Sequence, residues 1–259
     1  MIPFPGIDPV AVHIGPLAIR WYGLAYVTGI LSAWSLMKRR AARPGSGWTE
    51  DQVADFTFYA ALGLVIGGRL GYTLFYNLPV YVKDPLAVFK VWQGGMSFHG
   101  GLIGVLLAAA CYARKAGKRF LEVTDFVAPV VPIGLLLGRL ANFVNGELWG
   151  APTDLPWGMV FPDPAAGDIP RHPSQIYEAL LEGALLFAWL WTFSKKPRAM
   201  GVVSGAFLVG YGGARLLVEL VRAPDVQLGY LALGWLTMGQ VLTVPMLLAG
   251  LWLCLRPHR

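Results

Sequence analysis

The chain has 259 residues, of which 56% are hydrophobic and 14% charged, and its mean hydropathy is +0.54. Soluble globular proteins carry about 25% charged residues, so the composition excludes an ordinary soluble protein and predicts that lipid surrounds most of the chain. The formal net charge of +6 would suggest nucleic-acid binding in a soluble protein. Here the basic residues lie in short clusters between apolar runs, so membrane topology explains them and no nucleic-acid partner is expected.

Seven segments are long and apolar enough for transmembrane helices, each of which needs about 20 residues. They predict an all-α, polytopic membrane protein with about seven transmembrane helices in a single integral membrane domain, residues 1–259. The N-terminal residues contain prolines and no basic region, so no cleavable signal peptide is expected. The predicted spans are Leu17–Met37, Val53–Phe75, Met96–Ala113, Phe126–Val144, Ser174–Phe193, Gly201–Val221 and Trp235–Leu255.

The distribution of basic residues predicts the orientation. Thirteen of the 21 Lys and Arg residues follow the first, third, fifth and seventh spans, whereas five lie on the opposite side and three inside spans. The positive-inside rule therefore places the C-terminus in the cytoplasm and the N-terminus in the periplasm of a bacterial inner membrane. The longer outer loops, at about 75–95 and 145–173, are the expected location of a site, because loops on a rigid scaffold commonly carry function.

The two cysteines, Cys111 and Cys254, each lie near the end of an apolar run that basic residues follow. This pattern places both at the reducing cytoplasmic face, where a disulfide is not expected. No metal or cofactor is expected either.

Charged side chains inside a span cost about 2.5–3.5 kcal/mol each near the bilayer centre, so they need partners or a function. Arg69, in GGRLGY, can be explained as a snorkelling or helix-pairing arginine at the outer end of the second span. Tyr22, in the first span, belongs either to a functional site or to an interfacial aromatic belt.

A polar cluster is predicted at the outer end of the fourth span, in GRLANFVNGELWG. Asn142 follows Arg139 by three residues, so both side chains project from one helical face. Asn145 and the glycine after it predict a break in the helix, just before Glu147. The cluster indicates either a ligand site or a structural hydrogen-bond network between helices.

A second polar stripe lies in the sixth span. Tyr211, Arg215 and Glu219 are spaced i, i+4, i+8 on one helical face. Arg215 and Glu219 can form a structural ion pair. Two arginine-bearing faces on separate helices also suggest a shared anionic ligand, because the guanidinium fork matches phosphate oxygens.

Two further motifs lie at span entrances. His99, in GGMSFHGGLIG, is flanked by glycines that allow a helix or a ligand to approach closely. It is either a structural histidine or a base that accepts a proton from a nucleophile. In RHPSQIYE, Ser174 is predicted to cap the fifth span, while Gln175 and Glu178 favour its start.

Five strings, spread over five spans and covering nearly the whole chain, resemble the prolipoprotein diacylglyceryl transferase family. They are RWYGLAYVTG, GGMSFHGGLIG, GRLANFVNGELWG, RHPSQIYEALLEG and YGGARLLVELVR. The resemblance implies transfer of a diacylglyceryl group from phosphatidylglycerol to the lipobox cysteine of a preprolipoprotein signal peptide, giving a thioether and glycerol phosphate. It places the active site toward the periplasmic side.

The resemblance also implies site residues. The catalytic set would be His99, Arg139, Arg215 and Glu219. The substrate-binding set would be Tyr22, Asn142, Asn145, Glu147, Gly150 and Tyr211.

Two other classes of membrane protein remain open at the level of sequence. A lipid or small-solute transporter would also carry intramembrane Arg and Glu, although transporters often show internal repeats and none is visible here. A structural subunit would use the same charges to hold helices together.

Overall fold

A computed structural model of the protein describes residues 2–90, 94–223 and 237–256, and most of these residues are helical. The chain divides into two compact units. The first comprises Met1–Ala33 and Asp125–Arg259, and the second comprises Trp34–Thr124. In chain order the elements are strands β1 (Val10–Ile14) and β2 (Leu17–Arg20), followed by helices α1 (Trp21–Ala41), α2 (Glu50–Phe75), α3 (Leu78–Lys83), α4 (Phe98–Lys115), α5 (Phe120–Val127), α6 (Val131–Val144), α7 (Ser174–Glu178), α8 (Leu186–Phe193), α9 (Val202–Glu219) and α10 (Met238–Leu255).

The prediction of an all-α protein misses a short antiparallel hairpin, in which Ile14 pairs with Leu17 and Val10 with Arg20. Gly15, at the first position of its two-residue turn, has φ 57°, a conformation that glycine adopts at little cost. The first predicted span therefore begins as a strand, and its helix starts at Trp21.

Four helices are long and apolar enough to cross a membrane: α2, the continuous helix Ser174–Phe193, α9 and α10. Helices α5 and α6 form a fifth candidate if the pair, bent by 53° at a short break, is counted as one span. By length and composition, the described residues therefore contain four to five candidate spans, fewer than the seven predicted. Helices α1 and α4 are long enough but less apolar on average, because basic residues lie in the last turn of each helix: Lys38, Arg39 and Arg40 in α1, and Arg114 and Lys115 in α4. The start of the seventh predicted span, at Trp235, lies outside the described residues.

In the second unit, α2 packs closely against α4 along glycines. A Cβ atom added at Gly63 would lie 2.5 Å from the Gly104 carbonyl oxygen, and one added at Gly71 would lie 2.7 Å from Gly100 Cα. Small residues that let two helix backbones touch are a common means of helix association in lipid. The glycines that follow His99 therefore serve the approach of a helix.

Arg69 is buried in the second unit and donates five hydrogen bonds to backbone carbonyls. These carbonyls belong to residues 87, 88, 90, 94 and 95, which follow α3, and the bonds include 2.6 Å to Ala87 and 2.8 Å to Val88. The snorkelling or helix-pairing role expected for Arg69 is wrong in detail, because its guanidinium group donates to backbone carbonyls of the segment after α3. We call this arrangement the Arg69 cage.

In the first unit, Asp125 binds the start of α9. Its carboxylate accepts hydrogen bonds from the Gly201 amide at 2.5 Å, and from the Ser204 amide and hydroxyl at 2.7 and 2.6 Å. A carboxylate at a helix N-terminus satisfies amides that have no intrahelical partner and interacts favourably with the helix dipole. The interaction fixes the helix that carries Arg215.

Candidate functional site

Two arginines from different helices meet on the same carboxylates in the first unit. Arg139 of α6 has its Nε 3.2 Å from Glu178 Oε2, and Arg215 of α9 has its Nη1 2.6 Å from Glu178 Oε1. Glu182 lies 3.8 Å from Arg139 Nη2 and 3.9 Å from Arg215 Nη1. Arg222 Nη1 lies 3.7 Å from Glu178 Oε1. We call this group, together with Glu219, the arginine–glutamate cluster.

The cluster is largely closed to solvent. The Glu178 and Glu182 side chains are 0% exposed, whereas the Arg139 and Arg215 side chains are 18% and 12% exposed. Charges at this depth interact strongly, but removing either partner of a buried pair leaves an uncompensated charge. The exposed surface of the cluster therefore belongs mainly to the arginine side chains.

Arg215 and Glu219 form the pair expected from their i, i+4 spacing, with Nη2 3.0 Å from Oε2. The Thr237 hydroxyl donates to Glu219 Oε1 at 2.7 Å. Glu219 is therefore held from both sides and directs one edge of the Arg215 guanidinium.

A continuous helix presents the two central glutamates. Residues Ala179–Leu185 form a π-helical segment between α7 and α8, a departure from α geometry often found at functional sites. A Cβ atom at Gly183 would lie 2.7 Å from Leu136 Cβ, so this segment packs directly on α6. The close contact places Glu178 and Glu182 beside Arg139.

The polar loop after α6 is built around Glu147. The side-chain amides of Asn142 and Asn145 donate to Glu147 Oε1 at 2.9 and 3.1 Å, and the helix ends at the predicted break, where Gly146 has φ 69°. The buried Gln175 amide donates to the Glu147 backbone carbonyl at 2.6 Å. This network fixes Glu147 in the loop that follows α6.

Ser174 does not cap the fifth predicted span, so that prediction is wrong. Pro173 occupies the N-cap position, and the Ser174 hydroxyl donates instead to the Leu148 carbonyl at 3.0 Å. Leu148 has φ 60°, an uncommon conformation for a non-glycine residue. Ser174 therefore stabilises the loop that carries Glu147.

Tyr22, Tyr211 and Gly150 all lie next to these groups. Tyr22 is beside Asn142 and Glu147, and its ring lies 5.2 Å from that of Tyr26. Tyr211 is near Glu182 and Arg215. Gly150 donates its amide to the His172 carbonyl at 2.8 Å, and a Cβ there would lie 2.6 Å from the Val221 carbonyl oxygen, so no larger residue fits.

The Arg171–His172 pair organises the loop between α6 and α7. Arg171 donates to the Ala166 carbonyl at 2.6 Å and lies 4.2 Å over the Trp149 ring. His172 Nδ1 is 3.2 Å from the Tyr177 hydroxyl, which accepts from Trp157 Nε1 at 2.7 Å. Burial lowers the pKa of His172, which favours its neutral form.

The comparisons with known proteins agree with one family. A family model described as prolipoprotein diacylglyceryl transferase matches residues 9–256. The chain belongs to this family.

Curated relatives are similar over nearly their whole length. A phosphatidylglycerol–prolipoprotein diacylglyceryl transferase of Solidesulfovibrio magneticus is 61% identical over 256 residues, which is 99% of this chain and 97% of the relative. Proteins of the same name from Methylococcus capsulatus and Pseudomonas putida are 59% and 57% identical, over 97% and 98% of this chain and 95% of each relative.

In this family member, the structure brings nine of the ten sequence-predicted residues into the first unit, around the arginine–glutamate cluster and the polar loop. His99 belongs to the second unit, where it is exposed in the first turn of α4 and its ring lies 5.6 Å from that of Phe98. Cys111 and Cys254 are free thiols. Among the described residues, no group of three or more His, Cys, Asp or Glu could hold a metal ion.

Sequence reasoning missed three residues of the arginine–glutamate cluster: Glu178, Glu182 and Arg222. Glu178 was assigned only a helix-start role, and Arg222 an outer-loop position. Glu182 offered the clearest signal, because it lies in the middle of an apolar span, where a carboxylate needs a partner. The i, i+4 spacing of Glu178 and Glu182 places both on one helical face.

Proposed function

We propose that this protein transfers the diacylglyceryl group of phosphatidylglycerol to the lipobox cysteine of preprolipoproteins, the first step of lipoprotein maturation. The sulfur would attack the carbon of the diacylglyceryl group that bears the phosphate. A thioether forms as the carbon–oxygen bond breaks, and glycerol phosphate leaves. The observation that carries the proposal is that Arg139 and Arg215, on separate helices, converge on one partly exposed cluster. The names of the relatives support the same reaction and do not favour a transporter.

The two guanidinium groups would bind the lipid phosphate. Phosphate oxygens match the guanidinium fork in bidentate fashion, and preorganised positive charge stabilises a leaving group as negative charge develops on it. Arg139 and Arg215 now share the Glu178 carboxylate. Their remaining N–H groups, or the ones released from glutamate, would turn to phosphate, while Glu219 keeps Arg215 oriented.

The polar loop would hold the glycerol headgroup. Glu147, fixed by the amides of Asn142 and Asn145, offers an acceptor for the headgroup hydroxyls, with Tyr22 beside it. Tyr211 would contact the lipid on the side of Arg215, and Gly150, packed against Val221 and His172, would belong to the same binding set. The place of these residues in the same unit as the two arginines supports this role.

The attacking thiol belongs to the substrate peptide, so the protein needs no nucleophilic cysteine of its own. We propose His99 as the base that accepts the thiol proton, a role that imidazole side chains commonly take in catalysis. Its exposed position at the start of α4 leaves the ring accessible to a partner.

We further propose that residues 1–259 form one integral domain of the bacterial inner membrane, with seven spans. The N-terminus and the small outer loops would face the periplasm, and the C-terminus the cytoplasm. The charge distribution supports this orientation, and α1 and α4 supply helices for the two less apolar spans. Both substrates are membrane-embedded, so a lateral opening between spans is required.

The direct test is to incubate the purified protein with phosphatidylglycerol and a lipobox peptide, and to measure the mass of the peptide. A mass increase of one diacylglyceryl group on the cysteine is expected. Arg139→Ala and Arg215→Ala should abolish it while each variant still inserts into membranes. Near-normal turnover in both variants would remove the arginine site from the mechanism, and no mass increase with the unaltered protein would exclude the reaction.

A further inference from the structure

Glu182 is a buried carboxylate without hydrogen bonds. Its side chain is 0% exposed, and neither of its oxygens accepts a hydrogen bond from any residue that the structure describes. The nearest guanidinium nitrogens, on Arg139 and Arg215, are 3.8 and 3.9 Å away. Burial of an ionised carboxylate without hydrogen bonds is costly, so Glu182 is the member of the cluster with most to gain from a proton.

The charged and titratable groups around Glu182 come from every element packed against it. Among the described residues, the ion pairs of the cluster join three arginines with three glutamates, so its formal charge is balanced when all are ionised. The groups that face Glu182 are Arg139 on α6, Glu178 on its own helix, Tyr211 and Arg215 on α9, and Arg222 after α9, and Glu219 completes the cluster through Arg215.

A bound phosphodiester would add one negative charge to this balanced, largely buried group. An uncompensated charge in such surroundings is strongly unfavourable. Protonation of one glutamate restores the balance, and the choice of glutamate follows from the contacts.

Protonation of Glu178 or Glu219 would weaken existing bonds. Glu178 Oε1 accepts from Arg215 at 2.6 Å, and Glu219 Oε1 accepts from Thr237 at 2.7 Å. Protonation of Glu182 breaks no hydrogen bond and supplies a donor that can reach a newly arrived phosphate oxygen.

We propose that Glu182 takes up one proton from solvent when the phosphodiester of the lipid donor binds between Arg139 and Arg215, and returns it when the site empties. Glu182 is thus a charge-compensating positioning residue for the lipid. The inference rests on the proposed function, since it needs a lipid phosphate at the cluster.

The test measures proton uptake on lipid binding. Phosphatidylglycerol is titrated into the purified full-length protein in detergent micelles, in two buffers of different ionisation enthalpy at each of several pH values. We expect uptake of about one proton per lipid at pH values between the pKa of Glu182 in the empty protein and its pKa in the lipid complex. In that range the dissociation constant should rise by up to about tenfold per pH unit, because one linked proton has that limiting slope.

Glu182→Gln is neutral at every pH, so its lipid affinity should be nearly independent of pH and its proton uptake close to zero. Glu122→Gln is the matched control, because Glu122 lies outside the cluster in an exposed pair with Arg119. That control should keep the wild-type slope and proton count.

An infrared difference spectrum of the unaltered protein gives a second readout, which does not depend on the folding of a variant. Lipid binding should produce the carbonyl band of a protonated carboxylic acid, which shifts to lower frequency in D2O and is thereby separated from the ester carbonyl bands of the lipid. Lipid binding without proton uptake or without that band would overturn the inference, as would equal uptake in Glu182→Gln. Absence of any phosphatidylglycerol binding or transfer by the unaltered protein would instead overturn the proposed function.

Discussion

Arg69 and the pair Arg139 and Arg215 are all arginines in apolar helices, but their partners differ. Arg69 donates to five backbone carbonyls of one loop. Arg139 and Arg215 bind side-chain carboxylates contributed by another helix, and their side chains keep 18% and 12% of their surface exposed.

The difference separates a structural arginine from one suited to a ligand. Each of the five backbone carbonyls would lose its hydrogen-bond donor if the Arg69 side chain turned away. The Arg69 cage therefore has one stable arrangement. A carboxylate that loses a guanidinium partner can take up a proton instead, and the released guanidinium can bind a competing phosphate. Three predictions test this distinction.

The largest effect is expected from changing the fork to a point charge. Arg139→Lys or Arg215→Lys should lower the rate of diacylglyceryl transfer by about 100-fold or more, because an ammonium cannot hold a phosphate bidentately as charge develops. The rate is measured from the mass of the lipobox peptide over time. Arg119→Lys, at an exposed position, is the control. Near-normal transfer by either cluster variant would place that arginine in the same class as Arg69.

Substitution of Arg69 should lower the stability of the fold. Arg69→Ala leaves several buried carbonyls without donors and should lower the free energy of unfolding by about 3 kcal/mol. Arg69→Lys should recover part of this loss, because an ammonium also donates to carbonyls. Unfolding in detergent micelles measures both, with Arg119→Ala as the control. If Arg69→Ala were as stable as that control, the five hydrogen bonds would not stabilise the fold.

The smallest effect concerns Asp125, an anion that backbone amides hold in place. Asp125→Ala should lower the free energy of unfolding by about 1–2 kcal/mol, since it removes the cap of α9. The same unfolding measurement applies. Asp55→Ala removes a carboxylate whose partner Lys115 is exposed, and it should change stability little. Equal effects of the two substitutions would show that the contact with Gly201 and Ser204 has no special weight.

The sequence predicted the parts of the site that depend on local spacing. Arg215 and Glu219 pair because residues four apart on a helix are neighbours. Helix α6 ends with Asn145 as its C-cap residue, because the following glycine adopts a positive φ. The same locality explains the errors. The second strand of the hairpin before α1 is mostly apolar, so the sequence pattern does not separate it from the first span. The residue type of Ser174 alone predicts a helix cap, although its hydroxyl donates to the Leu148 carbonyl.

By itself, the sequence determined that the protein is helical and made for a membrane, where its apolar runs lie, and which family it resembles, because these follow from composition and from motifs along the chain. Only the tertiary structure decided that Glu178 and Glu182 stand between the two arginines and that Arg69 holds a loop. Those contacts join residues 18 to 43 positions apart along the chain. Helical periodicity fixes which face a side chain occupies, but the partner on the next helix is set by packing, such as that of Gly183 against Leu136.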